Sequence, residues 1–236
     1  MMILPSELIA KKRSEVRPEQ THSQLKRTLD LIFASLGMAV LIPFLAIVGT
    51  LIKLDSPGPI FYAQERIGVN RRRSRKGASP TGLERRRTGG FGKPFTIYKL
   101  RSMVVDAERN TGPIWAAAKD ARVTRVGRLL RKTRLDETPQ LWNVLRGDMS
   151  LVGPRPERAV FVNSLAESLP EYPMRYQALP GITGLAQVKS RYDSSIETVN
   201  RKLQYDLYYV RHGRLLLDLK IMAATVKVVA RGEGAH

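Results

Sequence analysis

Between Asp30 and Lys53 the chain runs for 22 residues, Leu31 to Ile52, without a charged side chain, and 17 of these are Ala, Val, Ile, Leu, Met or Phe. A helix rises about 1.5 Å per residue, so this run is long enough to cross a hydrocarbon core of ~30 Å. It is too long for the apolar part of a signal peptide, and no small-residue cleavage site follows it. The flanks complicate a simple span. Lys11, Lys12, Arg13, Arg17, Lys26 and Arg27 precede the run, and Lys53, Arg66, Arg71, Arg72, Arg73, Arg75 and Lys76 follow it. Basic flanks mark the cytoplasmic side, and here both are basic. Pro43 lies near the middle, where it removes a helix hydrogen bond and bends the chain. A helix that enters from the cytoplasm, breaks at Pro43 and returns accounts for both facts. A kinked single span and a buried core helix are the other readings.

Beyond the run, Asp55-Ser56-Pro57-Gly58-Pro59 has turn chemistry. Residues 60–67 fit a strand or a short helix. Residues 70–90 carry Arg71-Arg72-Arg73 and Arg85-Arg86-Arg87 among Gly, Ser, Pro and Thr, which reads as a mobile basic loop drawn to anionic lipid. Phe95 to Arg101 alternates apolar and polar, as a strand does. From Ala121 to Arg134, Val123, Val126, Leu129 and Leu130 share one helical face and basic residues fill the other, the pattern of an interfacial helix. A further helix is predicted with Thr138 as its cap, Pro139 at its first position and its end near Gly147. Residues 197–210 and 214–230 also have helical spacing. Tyr205, Tyr208 and Tyr209 suit either a lipid interface or ordinary packing. No internal repeat is present.

Composition narrows the chemistry. Forty Lys and Arg against 21 Asp and Glu give a net charge of +19, which calls for an anionic partner: nucleic acid, acidic lipid or a phosphorylated substrate. The absence of cysteine excludes disulfides, thiolate metal sites and a thiol nucleophile. His22, His212 and His236 have no metal-binding spacing, and no phosphate-binding glycine loop of the nucleotide-hydrolase type occurs. A non-enzymatic, membrane-anchored protein that binds nucleic acid or acidic lipid is the alternative to an enzyme, but no nucleic-acid-recognition pattern supports it.

Asp136 and Glu137 stand together in a basic neighbourhood, Arg131-Lys132-Thr133-Arg134-Leu135-Asp136-Glu137-Thr138-Pro139. Adjacent residues on a helix face different ways, so the two carboxylates cannot form a symmetric dyad; they either hold unequal roles or simply complement a helix start. Arg155 lies between two prolines, in Leu151-Val152-Gly153-Pro154-Arg155-Pro156-Glu157. Arg191 follows Pro180-Gly181-Ile182-Thr183-Gly184 and Gln187, and Lys99 and Arg101 close the expected strand. Cations on stiff segments suit oxyanion binding, because little conformational freedom is lost on binding.

On these segments the chain resembles the bacterial sugar transferases, the monotopic phosphoglycosyl transferases. The matching pieces are Ser56 to Phe61, Gln64 to Gly68, Tyr98 to Met103, Leu135 to Leu145, Leu151 to Glu157, Pro180 to Val188 and Asp206 to Tyr209, in order, across residues 25–230. The resemblance implies a mainly α fold with a small β element (α+β): a monotopic membrane protein with a re-entrant helix broken at Pro43 and amphipathic interfacial helices around a compact catalytic domain. The parts would be a basic tail (1–24), the membrane helix (25–55), an interfacial catalytic domain (56–230) holding the 70–90 loop, and a short tail (231–236). It also implies a reaction on the cytoplasmic face of the bacterial inner membrane, at the first membrane step of a surface polysaccharide or glycan pathway. A sugar 1-phosphate moves from a UDP-sugar to undecaprenyl (polyprenol) phosphate through a phospho-aspartate, with release of UMP. Carried over by position, Asp136 would be nucleophile and Mg²⁺ ligand, Glu137 would handle protons, and Lys99, Arg131, Arg155 and Arg191 would surround the phosphates. The partners would be UDP-sugar, the polyprenol phosphate and membrane lipid, with no nucleic acid. Three departures stand out: Ile42-Pro43 replaces Ser-Pro, Lys189-Ser190-Arg191 replaces Asn-Gly-Arg, and residues 70–90 are inserted.

Overall fold

The computed structural model describes residues 24–70, 91–109, 112, 120–190 and 195–232. The apolar run forms the centre of α1 (Gln24–Asp55), 32 residues and about 48 Å long. By length and composition it could cross a membrane. Its buried residues are Lys26, Asp30, Ala34, Leu41, Gly49 and Ile52, whose spacings of whole turns place them on a single stripe. That stripe lies against the rest of the protein along its whole length. Ile32, Phe33, Leu36, Val40, Ile42, Phe44, Ile47 and Leu51 point away from it and are exposed. A methyl group added at Gly37 would sit 2.9 Å from Leu141, and one at Gly49 would sit 2.9 Å from Ile60, so both glycines permit close approach.

The expected break at Pro43 is not an interruption of the helix, which continues from Gln24 through Pro43 to Asp55. Pro43 and Ala39, whose carbonyl loses its partner, both lie on the exposed side. The ring therefore opens the helix on its outer side, the sense of curvature that wraps an element around the body it packs on.

Both ends of α1 are tied to the same body. At the start, the Lys26 ammonium donates to Asp218 (2.8 Å) and to the Val152 carbonyl (3.2 Å), Arg27 donates to the carbonyls of Val144 and Leu145, and Asp30 accepts from Leu151 N–H. At the exit, Arg101 donates to the carbonyls of Ile52, Ser56 and Pro57 and to the Ser56 hydroxyl. Asp55 accepts from Val126 N–H at 2.8 Å. Arg101 is thus a clamp on the orphan carbonyls of a helix end, not the anion ligand its sequence setting suggests.

Next come β1 (Phe61–Ile67) and β2 (Pro94–Leu100), an antiparallel pair in which Phe61 faces Leu100 and Ile67 faces Pro94. Residues 60–67 are therefore strand, not helix. The basic helix, α2 (Arg125–Lys132), starts later than its apolar spacing suggests, because Thr124 caps it by accepting from Gly127 N–H. Leu129, expected on the inner face, is exposed, whereas Leu130 is buried. A 3₁₀ turn (Leu135–Glu137) leads to α3 (Gln140–Arg146), which stops at Gly147. Thr138 does not cap α3; its hydroxyl donates back to the Leu135 carbonyl at 2.7 Å.

Then follow β3 (Ser150–Val152), α4 (Ala159–Ser168), a 3₁₀ segment (Tyr172–Gln177), β4 (Gly181–Thr183) parallel to β3, α5 (Leu185–Lys189), α6 (Ile196–His212) and α7 (Leu215–Ala230). Ser195 and Thr198 form a capping box at the start of α6. Ile67, Val162, Leu165, Tyr172, Tyr176, Val199, Leu203 and Leu207 make one core cluster. Tyr209 belongs to a second and is fully buried, with its hydroxyl on Val152 O and Asp218, so it serves packing and not a lipid interface. Among the described residues the protein is mainly helical with two small sheets and one long apolar helix, as the sequence indicates. The 71–90 part of the basic insertion, the N-terminal tail to residue 23 and residues 233–236 lie outside the described residues.

Candidate active site

The carboxylate pair sits on the 3₁₀ turn between α2 and α3, and both residues are buried. Arg134, just before the turn, is in the left-handed region (φ 59°), which costs a non-glycine residue strain. That backbone turns the chain sharply enough to point two adjacent acids into the protein. Glu137 N–H then bonds to Arg134 O, and Thr138 N–H to Leu135 O, both at 3.2 Å.

Three elements converge on the turn. From β2, the Lys99 ammonium donates to Glu137 Oε1 at 2.9 Å. From the Gly153-Pro154-Arg155-Pro156 segment, Arg155 Nη2 donates to the same oxygen at 2.6 Å and Nη1 to Oε2 at 3.3 Å, a forked grip. From α2, Arg131 Nε donates to the Ser102 hydroxyl at 2.9 Å. Asp136 is treated differently. Its Oδ1 is buried and has no hydrogen-bond partner.

The electrostatics follow from this division. Burial, then the adjacent Glu137 charge, pushes the Asp136 carboxyl up to about 6, against the pull of Lys99, Arg131 and Arg155. Burial acts on Glu137 in the same direction, but Arg155 and Lys99, through charge and hydrogen bonds, hold it well below the usual carboxylate range. Burial lowers Lys99 and Arg131, while Glu137 foremost raises Arg155. The pair is therefore asymmetric: one acid is ionised and gripped, the other poised near neutrality with an oxygen free.

Of the residues singled out in the sequence, the fold gathers Lys99, Arg131, Asp136, Glu137 and Arg155; Arg191 lies outside the described residues. Pro43 is on α1, away from this turn. Sequence reasoning missed Ser102, which holds Arg131, and Asn143. Asn143 is fully buried on α3 and ties that helix to β2, donating to Thr96 O (2.7 Å) and accepting from Tyr98 N–H (3.3 Å). A polar residue inside the apolar run Leu141-Trp142-Asn143-Val144-Leu145 was the available signal.

A divalent ion can be tested against this donor set. Among the described residues, no three acidic or histidine side chains cluster. Mg²⁺ does not need such a cluster, since it commonly binds one or two carboxylates, waters and substrate phosphates. The orphaned Asp136 oxygen fits that pattern.

Residues 21–232 match the family model described as bacterial sugar transferase. The chain is 37% identical over 219 residues to UDP-N-acetylgalactosamine-undecaprenyl-phosphate N-acetylgalactosaminephosphotransferase of Aeromonas hydrophila, covering 93% of this chain and 47% of that protein. It is 43% identical over 170 residues to a putative undecaprenyl-phosphate N-acetylgalactosaminyl 1-phosphate transferase of Bacillus subtilis, covering 72% of this chain and 79% of the relative. With UDP-glucose:undecaprenyl-phosphate glucose-1-phosphate transferase of Caulobacter vibrioides it shares 40% identity over 215 residues, or 89% of this chain and 72% of that one.

Proposed function

The chain belongs to the bacterial sugar transferase family, and from that premise we propose that it transfers a sugar 1-phosphate from a UDP-sugar to undecaprenyl phosphate through a covalent intermediate on Asp136. The observation that carries the reading is the asymmetry of the pair: Glu137 is engaged by two cations, while Asp136 keeps a buried oxygen unpartnered.

In the first half-reaction an Asp136 oxygen attacks the sugar-bearing phosphorus. The bond from that phosphorus to the bridging oxygen breaks, and UMP leaves with the electron pair. In the second, a phosphate oxygen of the lipid attacks the same phosphorus, the Asp136–phosphorus bond breaks, and the carboxylate is regenerated as the sugar diphospholipid departs. Lys99, Arg155 and Arg131 neutralise the pyrophosphate, which would otherwise repel a carboxylate nucleophile. Glu137 holds Lys99 and Arg155 in place; a part in proton handling would require it to release one of them. Mg²⁺ bound at Asp136 would add charge neutralisation of the phosphates.

The membrane arrangement belongs to the same reading. A domain tied to both ends of α1 cannot sit on both sides of a bilayer, so both ends of α1 would stay on the cytoplasmic side, with its exposed apolar face in the membrane and the body at the cytoplasmic head groups. The exposed apolar residues Leu216, Leu219 and Val226 of α7 would rest in the same layer. The division into an N-terminal tail, membrane helix and interfacial catalytic domain follows from this placement.

The test is mass spectrometry of the intact protein after incubation with UDP-sugar and Mg²⁺ without lipid. A sugar-phosphate adduct on the peptide containing Asp136, with release of UMP, is expected, and none in Asp136→Asn. Turnover by Asp136→Asn would sink the covalent route.

A further inference from the structure

The segment Asp206 to Tyr209 is one of those that carry the resemblance, yet the reaction above gives Asp206 no task. Asp206 and Arg175 form an ion pair at 2.6 Å, and both are buried. The pair joins α6 to the 3₁₀ segment Tyr172–Gln177. The Arg175 guanidinium lies over the Tyr172 ring, 4.9 Å from its centroid, and Nη1 donates to the Tyr172 hydroxyl. A ring, a hydroxyl and a carboxylate therefore fix its plane. Held in this way, Nη2 also donates to the Arg155 carbonyl at 3.0 Å.

That last bond matters because of how residues 154–157 are anchored. They are neither helix nor strand, and Pro154 and Pro156 have no N–H to donate. Each carbonyl of the segment accepts from a different donor: Pro154 from Gly181 N–H (2.9 Å), Arg155 from Arg175, Pro156 from Arg66 Nη1 (3.2 Å) and Glu157 from Ile67 N–H (2.9 Å). Arg175 thus ties down the residue whose side chain grips Glu137 at 2.6 Å. Its own Nε is buried without a partner. A buried ion pair with an orphaned donor is a poor source of stability, and apolar residues of similar volume often replace such pairs without loss. Apolar residues could not replace the bond to Arg155.

We propose that Arg175, oriented by Asp206, is a positioning residue: it fixes the backbone of Arg155 so that the Arg155 guanidinium reaches both Glu137 and the phosphates of the substrate. The proposal rests on the reading of Arg155 as a phosphate ligand given above. Neither Arg175 nor Asp206 hydrogen-bonds to Asp136 or Glu137, so both act through Arg155. A cation displaced by a fraction of a bond length loses a forked contact before it loses its general attraction, so the cost falls on tight phosphate binding.

The experiment measures equilibrium binding of inorganic pyrophosphate with Mg²⁺, and the melting temperature, for the full chain in detergent. Two changes are combined: Arg155→Met, and the apolar pair Arg175→Met with Asp206→Leu. With Arg155 present, the apolar pair should weaken pyrophosphate binding about tenfold while the melting temperature stays near that of wild type. With Arg155→Met, the same pair should change binding less than about twofold, because effects that run through one residue do not add. Equal losses in both backgrounds, no loss in either, or no pyrophosphate binding by wild type would each overturn the proposal. Should the apolar pair not fold, Arg175→Lys takes its place. Its ammonium keeps a charge opposite Asp206 but cannot span Tyr172, Asp206 and the Arg155 carbonyl as the planar fork does. The same dependence on Arg155 is then expected, and full pyrophosphate binding by Arg175→Lys refutes the proposal. If the Asp136 adduct forms while the apolar pair acts independently of Arg155, the positioning role is wrong and the transfer reading stands. If the dependence on Arg155 holds and no adduct forms, the reverse is true.

Discussion

Two buried charge clusters, built from similar residues, do opposite things with their hydrogen bonds. In one, Lys26, Asp218 and Tyr209 meet beneath Val152. Lys26 donates to the Val152 carbonyl and to one Asp218 oxygen, and the single Tyr209 hydroxyl proton is shared between that carbonyl and the other Asp218 oxygen, all at 2.8–3.2 Å. In the other, Glu137 takes Lys99 and Arg155 while Asp136 Oδ1 takes nothing. The first cluster is closed. It pins the start of α1 to β3 and to α6 and α7. The second is open by one atom, and that atom lies on a strained turn. Burial alone does not mark a functional charge; at Asp136 it is the unmet carboxylate oxygen beside Lys99, Arg131 and Arg155 that does.

The contrast breaks most sharply under substitution of its two aspartates. Asp136→Asn is expected to cut turnover by at least about 10³-fold, equivalent to ~4 kcal/mol of lost transition-state stabilisation, without lowering the melting temperature. Asp218→Asn should do the converse: unfolding should become easier by about 3–5 kcal/mol, because the buried Lys26 charge loses its carboxylate. The double change Lys26→Met with Asp218→Leu should recover much of that loss. Paired activity assays and denaturation curves check both. A melting-temperature loss in Asp136→Asn as large as that in Asp218→Asn would erase the distinction.

Proton linkage sharpens the same comparison. The folded carboxyl of Asp136 titrates at about 6, above its ordinary 3.8. The folded state therefore binds more protons than the unfolded one between these values, and its stability falls as pH rises through that window. Asp136→Asn removes this term, so the variant's melting temperature should gain on wild type from pH ~4 to ~6. A constant gap across that range would show that Asp136 is not perturbed.

Arg155→Lys probes the gripped half of the pair. A lysine offers one point charge where the forked grip on Glu137 uses two, so kcat/KM should fall about 10–100-fold with little change in folding. Pro43→Ala should have the smallest effect, at most about a few-fold on activity, since α1 is already helical through that residue. Single cysteines at residues 20 and 56 should both resist an impermeant maleimide in intact cells and react after lysis. Labelling of either from outside would mean that α1 spans.

Elements with strong local periodicity were legible in the sequence. The strand at Phe95–Arg101, the two C-terminal helices and the long apolar helix appear where their patterns place them. The carboxylate pair and three of its cations were legible from their sequence company. What escaped depends on contacts between distant residues. Arg101 looks like an anion ligand until Ile52, 49 positions earlier, brings its carbonyl to it. Asn143 reads as part of an apolar helix until Thr96 and Tyr98 take its amide. Thr138 has the chemistry of a cap, but Arg134 turns the chain first, so its hydroxyl reaches backwards.

The Arg101 clamp sets an elevation. It ties the last carbonyls of α1 to the chain two residues beyond Lys99, and Asp55 ties the same helix end to the start of α2, whose far end carries Arg131. In the membrane placement proposed above, the two cations settle as deep as α1 does, so the distance from lipid head groups to the candidate site is built into the joint and does not depend on how the body floats. One residue inserted between Ile52 and Asp55 would turn the stripe by about 100° and shift it by about 1.5 Å. The site would then be intact in shape and wrong in height, and under the proposed reaction it would work on soluble donor while missing an acceptor anchored in the membrane.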